Sequence, residues 1–568
     1  MRLQPIFDIA AICAAKGIKD AVVCPGSRCA PLTLAFARHP GITTRTISDE
    51  RSAAFIALGI AQQTKRTVVL ICTSGTAAYN FAPAVAEAYY QRVPLLVLTA
   101  DRPVEWIGQW DGQTISQQHI YGKHVLKFYQ LPQEYDHPDS KWSIGRIVNE
   151  AINSTQSDVK GPVHVNVPLR EPLYSDTVSF SENVPIVDQI KGNRMSETMT
   201  DHLSTLLKQY KKILVVGGQY PWNEELISTL NAFTEAGSVP VIGDIISNLH
   251  PLRLVVRYAD SFLPALDEPT KNELRPDLLI TFGQSVISKN LKLFLRACKP
   301  SAHWHIDEYA NEIPDPFQSL TLQVQQAPME FFAGQTKKLD RKPSRDPYTE
   351  RWIELDSKAS TATSVFFTSD TDGELKFVDH VLRSLPAESH LHLANSMSVR
   401  YANFCGLVNT KHSVRVYSNR GTSGIDGCTS TAVGHALSDH SIHTLITGDV
   451  AFFYDRNAFW NKYPIPNLRV ILLNNHGGAI FGMIDGPGST PEGEEYFITQ
   501  QSLTAEHLAN EFNLDYRLIS DTSNIASILD EFFKMDSRAK ILEFESNSRE
   551  AKSLFLRFKE KIKKTYAA

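Results

Sequence analysis

At 568 residues the chain is too long for one hydrophobic core, and at about 100–200 residues per domain it predicts three or four. Its 42% hydrophobic and 21% charged residues are ordinary for globular protein, and a formal charge of −5 gives no electrostatic reason to expect nucleic acid or an anionic membrane as partner. The start, Met1-Arg2-Leu3-Gln4-Pro5, has no signal-peptide apolar region, no apolar run approaches the ~18 residues of a membrane span, and the seven cysteines are odd in number without paired metal-ligand spacing, so a reducing cytoplasm is the expected setting.

Residues 1–180 alternate strand-like and helix-like runs. Ala21-Val22-Val23 leads into Cys24-Pro25-Gly26-Ser27-Arg28, Val68 to Cys72 into Thr73-Ser74-Gly75-Thr76, and Leu95 to Leu98 into Thr99-Ala100-Asp101-Arg102-Pro103; Val163 to Val167 closes the unit before Pro168. Apolar strands that each end in a Gly- or Pro-containing polar turn predict an α/β unit, a parallel sheet flanked by helices with its working loops on one edge. A polar stretch from Tyr174 to Met195 reads as a linker. The second unit, 196–340, has strand patterns at Lys212 to Val216, Val239 to Ile242, Asp277 to Ile280 and His303 to Ile306; without a Gly-x-Gly-x-x-Gly it reads as a structural Rossmann-like domain. Charged, proline-containing Lys337 to Thr349 is a second expected linker. The third unit, 350–568, resembles the first in its pattern and ends in a basic segment, Leu554 to Lys564, expected to be a solvated helix face.

Two stretches carry chemistry. In the third unit Leu445-Ile446 runs into Thr447-Gly448-Asp449, and 26 residues after Asp449 the run Val470 to Leu473 ends in Asn474-Asn475-His476-Gly477-Gly478. Both runs are short, rich in branched residues and bounded by turn formers, which predicts two buried parallel strands with a helix between them. Asp449 and the Asn475 side-chain carbonyl would then converge at the crevice where such strands end, and with a backbone carbonyl near Gly477 they make a hard-oxygen set of the kind Mg²⁺ takes beside phosphate. In the first unit Asp49-Glu50 opens a helix of small and apolar residues, where an acidic pair either complements the helix dipole or does chemistry. His476 is open to an acid-base or a purely positional role.

The Gly-Asp and Asn-Asn pair resembles the diphosphate-binding motif of thiamine diphosphate enzymes, with Val450 where a second glycine is usual. Glu50 matches the glutamate that, in that family, hydrogen-bonds the aminopyrimidine ring so that the cofactor itself takes the proton from its thiazolium carbon. With Cys24 to Arg28, Asp49-Glu50-Arg51, Thr73 to Ala77, Thr99 to Pro103, Ser418-Asn419-Arg420-Gly421-Thr422-Ser423-Gly424-Ile425-Asp426-Gly427 and Asn474 to Phe481, the chain resembles more narrowly the 2-succinyl-5-enolpyruvyl-6-hydroxy-3-cyclohexene-1-carboxylate synthases of menaquinone biosynthesis. The likeness is close in the first and third units and looser in the middle one.

That resemblance implies a three-domain thiamine diphosphate enzyme fold: a pyrimidine-binding domain (1–180), a central Rossmann-like domain (196–340) and a diphosphate- and Mg-binding domain (350–568). It implies decarboxylation of 2-oxoglutarate and Stetter-like addition of the succinyl carbanion to isochorismate. Asp449, Asn475 and Gly477 would hold Mg²⁺, with Mn²⁺ a possible substitute, and Ser396, Ile425, Ile480 and Phe481 would line the cofactor site with Glu50. Ser396, Arg400 and Arg420 would take the oxoglutarate-derived part; Ser27, Arg28, Arg102, Gln113 and Lys289 would take isochorismate. Arginine suits such work because its planar fork binds a carboxylate bidentately. The assembly would be a homodimer or homotetramer, with the Glu-bearing domain of one subunit facing the metal-bearing domain of another. The chain departs from the pattern at Gly112, where the family often has Asn, and at Ala451, where it often has Ser. An acetolactate synthase or 2-oxoacid decarboxylase, or a non-catalytic relative of the fold, are the competing readings.

Overall fold

The computed structural model describes residues 3–175, 177–188, 197–309, 313–339, 345–369, 372–407, 413–483 and 490–567. Parts of both expected linkers (176, 189–195 and 340–344) and the expected boundaries at 196 and 340 lie outside the described residues.

The apolar runs become the central strands of three parallel six-stranded sheets. Val68–Cys72, Leu95–Asp101, Val163–Pro168, Leu278–Phe282 and Leu468–Asn474 are buried along their whole length, as strands covered by helices on both faces must be. Across the first sheet the order is Thr43–Thr46, Asp20–Val23, Val68–Cys72, Leu95–Asp101, Val163–Pro168, Phe128–Gln130. Across the third it is Arg415–Tyr417, His390–Leu393, His443–Gly448, Leu468–Asn474, Lys540–Glu545, Asp515–Ile519, which is the same connectivity. The likeness between the first and third units is therefore topological. The middle sheet runs Leu322–Gln325, Ala302–Asp307, Leu278–Phe282, Ile213–Gly217, Val241–Gly243, Val255–Val256, the order of a doubly wound Rossmann sheet.

His443–Gly448 and Leu468–Asn474 are parallel neighbours with Gly448 opposite Leu473, so Asp449 and Asn475 leave the sheet side by side. The helix between these strands is short, Asp449–Tyr454, followed by a 3-10 turn, Arg456–Phe459. The basic segment at the end belongs to helix Ser548–Tyr566, which buries Leu554, Phe555, Phe558 and Ile562 and turns its lysines outward. Among the described residues no helix is long and apolar enough to cross a membrane, and all seven cysteines are buried and unbridged.

The first and third sheets share one hydrophobic core, in which Phe55, Leu70 and Val97 pack with Val433, Leu445 and Val470. Its seam is the crossing of helices Glu50–Thr64 and Cys428–Ala436. At the crossing Gly59 meets Gly434 so closely that a Cβ on Gly59 would stand 2.2 Å from the Thr431 carbonyl oxygen, and one on Gly434 2.2 Å from that of Ile56. Only hydrogen fits between backbones at that distance. Gly59→Ala is therefore expected to force the two helices apart and cost about 1–3 kcal/mol, read as a lower denaturant midpoint in equilibrium unfolding; an unchanged midpoint would mean that the seam is not a close contact.

Candidate active site

Asp449 stands at the first position of its helix, 2% exposed, and its carboxylate accepts the backbone N–H groups of Val450 and Gly477. Its Oδ2 also accepts the Gln501 amide at 2.7 Å. Burial raises this carboxyl, and those hydrogen bonds pull it back down. The two asparagines after the neighbouring strand divide the work. Asn474 spends both ends of its amide inside the fold, donating to Leu503 O (2.8 Å) and Glu543 Oε1 (2.6 Å) and accepting from Gln501 (3.0 Å). Asn475 donates through Nδ2 to Glu374 Oε1 at 2.9 Å, and its Oδ1 is buried with no hydrogen-bond partner.

A buried amide oxygen left bare beside a carboxylate is what a hard cation requires. Gly477 O accepts from Ala479 N at 3.0 Å and keeps a second lone pair. Asp449, Asn475 and Gly477 thus fit an oxygen-ligated divalent metal. Two partners carry no local motif. Glu374, 1% exposed, accepts from Asn475 and, at 3.0 Å, from the Ser546 hydroxyl; burial pushes its carboxyl up to about 7. Gln501 lays its amide across Asp449 Oδ2 and Asn474 Oδ1. His476 has a left-handed φ of 60° and sits 3.4 Å from Glu545 Oε1, which favours its positional reading.

At the first sheet the acidic pair separates. Asp49 caps the helix, accepting Ser52 N–H at 3.0 Å, and binds the Asn457 amide of the third unit at 2.8 Å. Glu50 is spared that duty: half-buried, its carboxylate meets only its own backbone N–H among the described residues. Burial, and then the Asp49 charge, raise its pKa.

The cationic residues form two groups. At the edge of the first sheet Arg28, 8% exposed, donates to Leu169 O at 2.9 Å and approaches Glu171 at 3.5 Å. Arg102 reaches Asp111 (2.9 Å), Gly112 O (2.7 Å) and Ser74 Oγ (3.4 Å). Burial, with the Arg102 charge next, lowers the pKa of Arg28. Gln113, exposed at a φ of 58°, lies against Gly75, and Ser27 is exposed beside Arg28.

In the third unit Arg420 donates to Asn395 Oδ1 at 2.9 Å, and Arg400 donates to the Ser396 carbonyl. Burial, with the Arg400 charge next, lowers the pKa of Arg420. Ser396 holds a φ of 70° at the head of helix Met397–Cys405. Lys289 is exposed at the start of helix Lys289–Ala297, in the middle unit. Its neighbours Ser288 and Asn290 bind Asp260, whose charge is felt by Arg400. Ile425, Ile480 and Phe481 are all half-buried, and Phe481 packs against Phe497 with ring centroids 5.9 Å apart. Among the described residues no hydrogen bond or ion pair joins Arg28 or Arg102 to the Arg400 and Arg420 group, or Glu50 to Asp449 or Asn475.

A sheet-end oxygen set that fits a metal in one unit, an uncommitted glutamate in its topological twin and a Rossmann sheet between them are what a thiamine pyrophosphate enzyme requires. Residues 7–120 match the family model of the thiamine pyrophosphate enzyme N-terminal TPP binding domain, and residues 180–393 that of the middle domain of thiamine pyrophosphate enzymes. A 2-succinyl-5-enolpyruvyl-6-hydroxy-3-cyclohexene-1-carboxylate synthase of Cytophaga hutchinsonii is 46% identical over 99% of this chain and 100% of its own length. Synthases of the same name from Flavobacterium johnsoniae (36% identical, 94% of each chain) and Porphyromonas gingivalis (37%, 94% of this chain and 92% of the relative) are also similar. The chain belongs to this synthase family.

Because Glu374 accepts from Asn475 Nδ2, it fixes which end of that amide is left bare. Glu374→Ala is expected to let that amide rotate and to weaken Mg²⁺-dependent thiamine diphosphate binding about 10–100-fold, measured by fluorescence titration at fixed Mg²⁺; unchanged affinity would show that Asn475 needs no such partner.

Proposed function

We propose that this chain uses thiamine diphosphate and Mg²⁺ to decarboxylate 2-oxoglutarate and to add the succinyl unit to isochorismate in a conjugate, Stetter-like addition. The observation that carries this reading is the pair of separate arginine groups, one at the working edge of the first sheet and one in the third unit. A reaction that joins two carboxylate-bearing substrates needs two such groups, whereas a pyruvate decarboxylation does not.

Bound thiamine diphosphate supplies the electron sink that lets a 2-oxoacid lose CO₂. Asp449, Asn475 and the Gly477 carbonyl would hold the metal that neutralises its diphosphate, and Ile425, Ile480 and Phe481 would wall the site. Glu50, half-buried and committed to no cap, would hydrogen-bond the aminopyrimidine ring. Ser396, Arg400 and Arg420 would hold the 2-oxoglutarate carboxylates, the two buried arginines offsetting the cost of stripping water from the anion. Arg28 and Arg102, with Ser27 and Gln113, would take isochorismate by exchanging Glu171 and Asp111, both partly exposed, for substrate carboxylates. Lys289 would act from the middle unit.

We further propose a cytoplasmic homodimer or homotetramer. A second copy would bring the Glu50 edge of one chain to the Asp449 edge of another, and it would cover the apolar side chains beside Arg102, among which Trp106 is half exposed and Trp110 fully so.

The test is to follow ultraviolet loss of isochorismate with Mg²⁺ and thiamine diphosphate, with and without 2-oxoglutarate. Loss that needs both 2-oxoglutarate and cofactor is expected; cofactor binding without loss, or turnover of pyruvate instead, would replace this reading with that of a simpler 2-oxoacid enzyme. Glu50→Gln is expected to stay folded and to bind cofactor while kcat falls about 10²–10⁴-fold. Near-normal kcat in that variant would remove Glu50 from its role.

A further inference from the structure

The loop Ser418 to Gly427, which carries Arg420, lies between strand Arg415–Tyr417 and helix Cys428–Ala436 and belongs to neither. It contains Gly421, Gly424 and Gly427 and puts Ser423 at a φ of 63°. A loop of this composition loses much backbone freedom when held in one shape, so its shape must be imposed by contacts. Asn395 donates to Asn419 O (2.7 Å) and Gly424 O (2.6 Å), and Gln219, from the middle unit, donates to Ser418 O (2.8 Å). The first unit supplies the third anchor, Glu87.

Glu87 sits on helix Ala82–Gln91 and is 1% exposed. Its Oε1 accepts the Gly421 N–H at 2.9 Å, and its Oε2 accepts the Thr422 N–H at 2.6 Å together with the Thr422 hydroxyl. The Gln91 amide also donates to Oε1. None of the ion pairs among the described residues includes it. A buried carboxylate without a cation is costly unless its oxygens are filled by donors, and here the donors are mainly the loop itself. The fit is close: a Cβ on Gly421 would stand 3.0 Å from both Glu87 O and Tyr90 Cβ. The two N–H groups that Glu87 fixes directly follow Arg420, whose guanidinium donates to Asn395 at 2.9 Å and whose backbone N–H donates to Ser418 O at 2.9 Å.

We infer that Glu87 is a positioning residue for Arg420: from a different sheet unit, it pins the two peptide groups after Arg420 and so sets the direction in which the guanidinium enters the cleft. The inference rests on the reading of Arg420 as a residue that holds 2-oxoglutarate. Glu87→Gln would leave one acceptor oxygen for three loop donors and set an amide against one of them, without touching the metal set or the Arg28 and Arg102 group.

The experiment is a double-mutant cycle on the full-length enzyme with Mg²⁺, thiamine diphosphate and both substrates, comparing wild type, Glu87→Gln, Arg420→Ala and the double variant. Glu87→Gln is expected to raise KM for 2-oxoglutarate about tenfold while KM for isochorismate and cofactor affinity stay within about twofold. The double variant is expected to be no worse than Arg420→Ala, because two residues that act as one unit are not additive. Multiplying effects, equal losses for both substrates and cofactor, or no effect of Glu87→Gln would overturn the positioning role. Unchanged use of 2-oxoglutarate by Arg420→Ala would instead overturn the substrate assignment of Arg420, a distinct failure. Should Glu87→Gln not fold, Thr422→Val removes only the hydroxyl donor; it should raise the same KM by a smaller factor and leave isochorismate unaffected, and failure to do so would count against the inference.

Discussion

The rest of the structure depends on the glycine-to-glycine crossing of helices Glu50–Thr64 and Cys428–Ala436. Two parallel sheets of identical connectivity could each close its own core, but these two share one, and they can do so because Gly59 and Gly434 let two backbones touch. The same contact fixes everything at its margins. It seats Phe55 against Gly427, at the end of the Arg420 loop, and it brings Asp49 and Arg51 to the 3-10 turn and helix that follow Asp449. Cofactor-type and substrate-type residues on different sheets therefore hold their relative places through this packing and the hydrogen bonds at its margin.

Within that frame, function is divided by what each polar group has left to give. Asp49 and Glu50 are adjacent and chemically alike, yet the first caps a helix and the second has an uncommitted carboxyl. Asn474 and Asn475 are identical side chains, but the first spends its oxygen and nitrogen on the fold while the second keeps an oxygen bare. Within each pair, the side chain with hydrogen-bonding capacity left over is the one free to meet a ligand.

The central strands were legible in the sequence because both of their faces are buried and their apolar runs are continuous, as in Val68–Cys72 and Leu468–Asn474. Edge strands were not: Thr43–Thr46 and Asp515–Ile519 are half exposed and have no apolar run to find. His390–Leu393 escaped for another reason. It is wholly buried, but two of its four residues are histidines, one of them satisfied by a 3.0 Å bond between His392 and His443 rather than by apolar packing. Pattern reading weighs hydrophobicity and is blind to polar residues that are buried because they find partners.

The candidate site divides along the same line. Asp449, Asn475, Arg28 and Arg102 sit in turns directly after strands, where a few residues of sequence state both the element and the chemistry. Glu374, Gln501 and Glu87 act across 101, 52 and 334 residues respectively, each from an unremarkable position on a helix or loop. Their meaning lies in the partner, and the partner is fixed only once the sheets are packed. The groups that would touch ligand were thus readable from local motifs, whereas those that aim them are a property of the tertiary structure. A substitution at Glu374 or Glu87 would disturb the site without altering any residue of its motifs, since an amide or guanidinium turned away from its ligand is as ineffective as one removed.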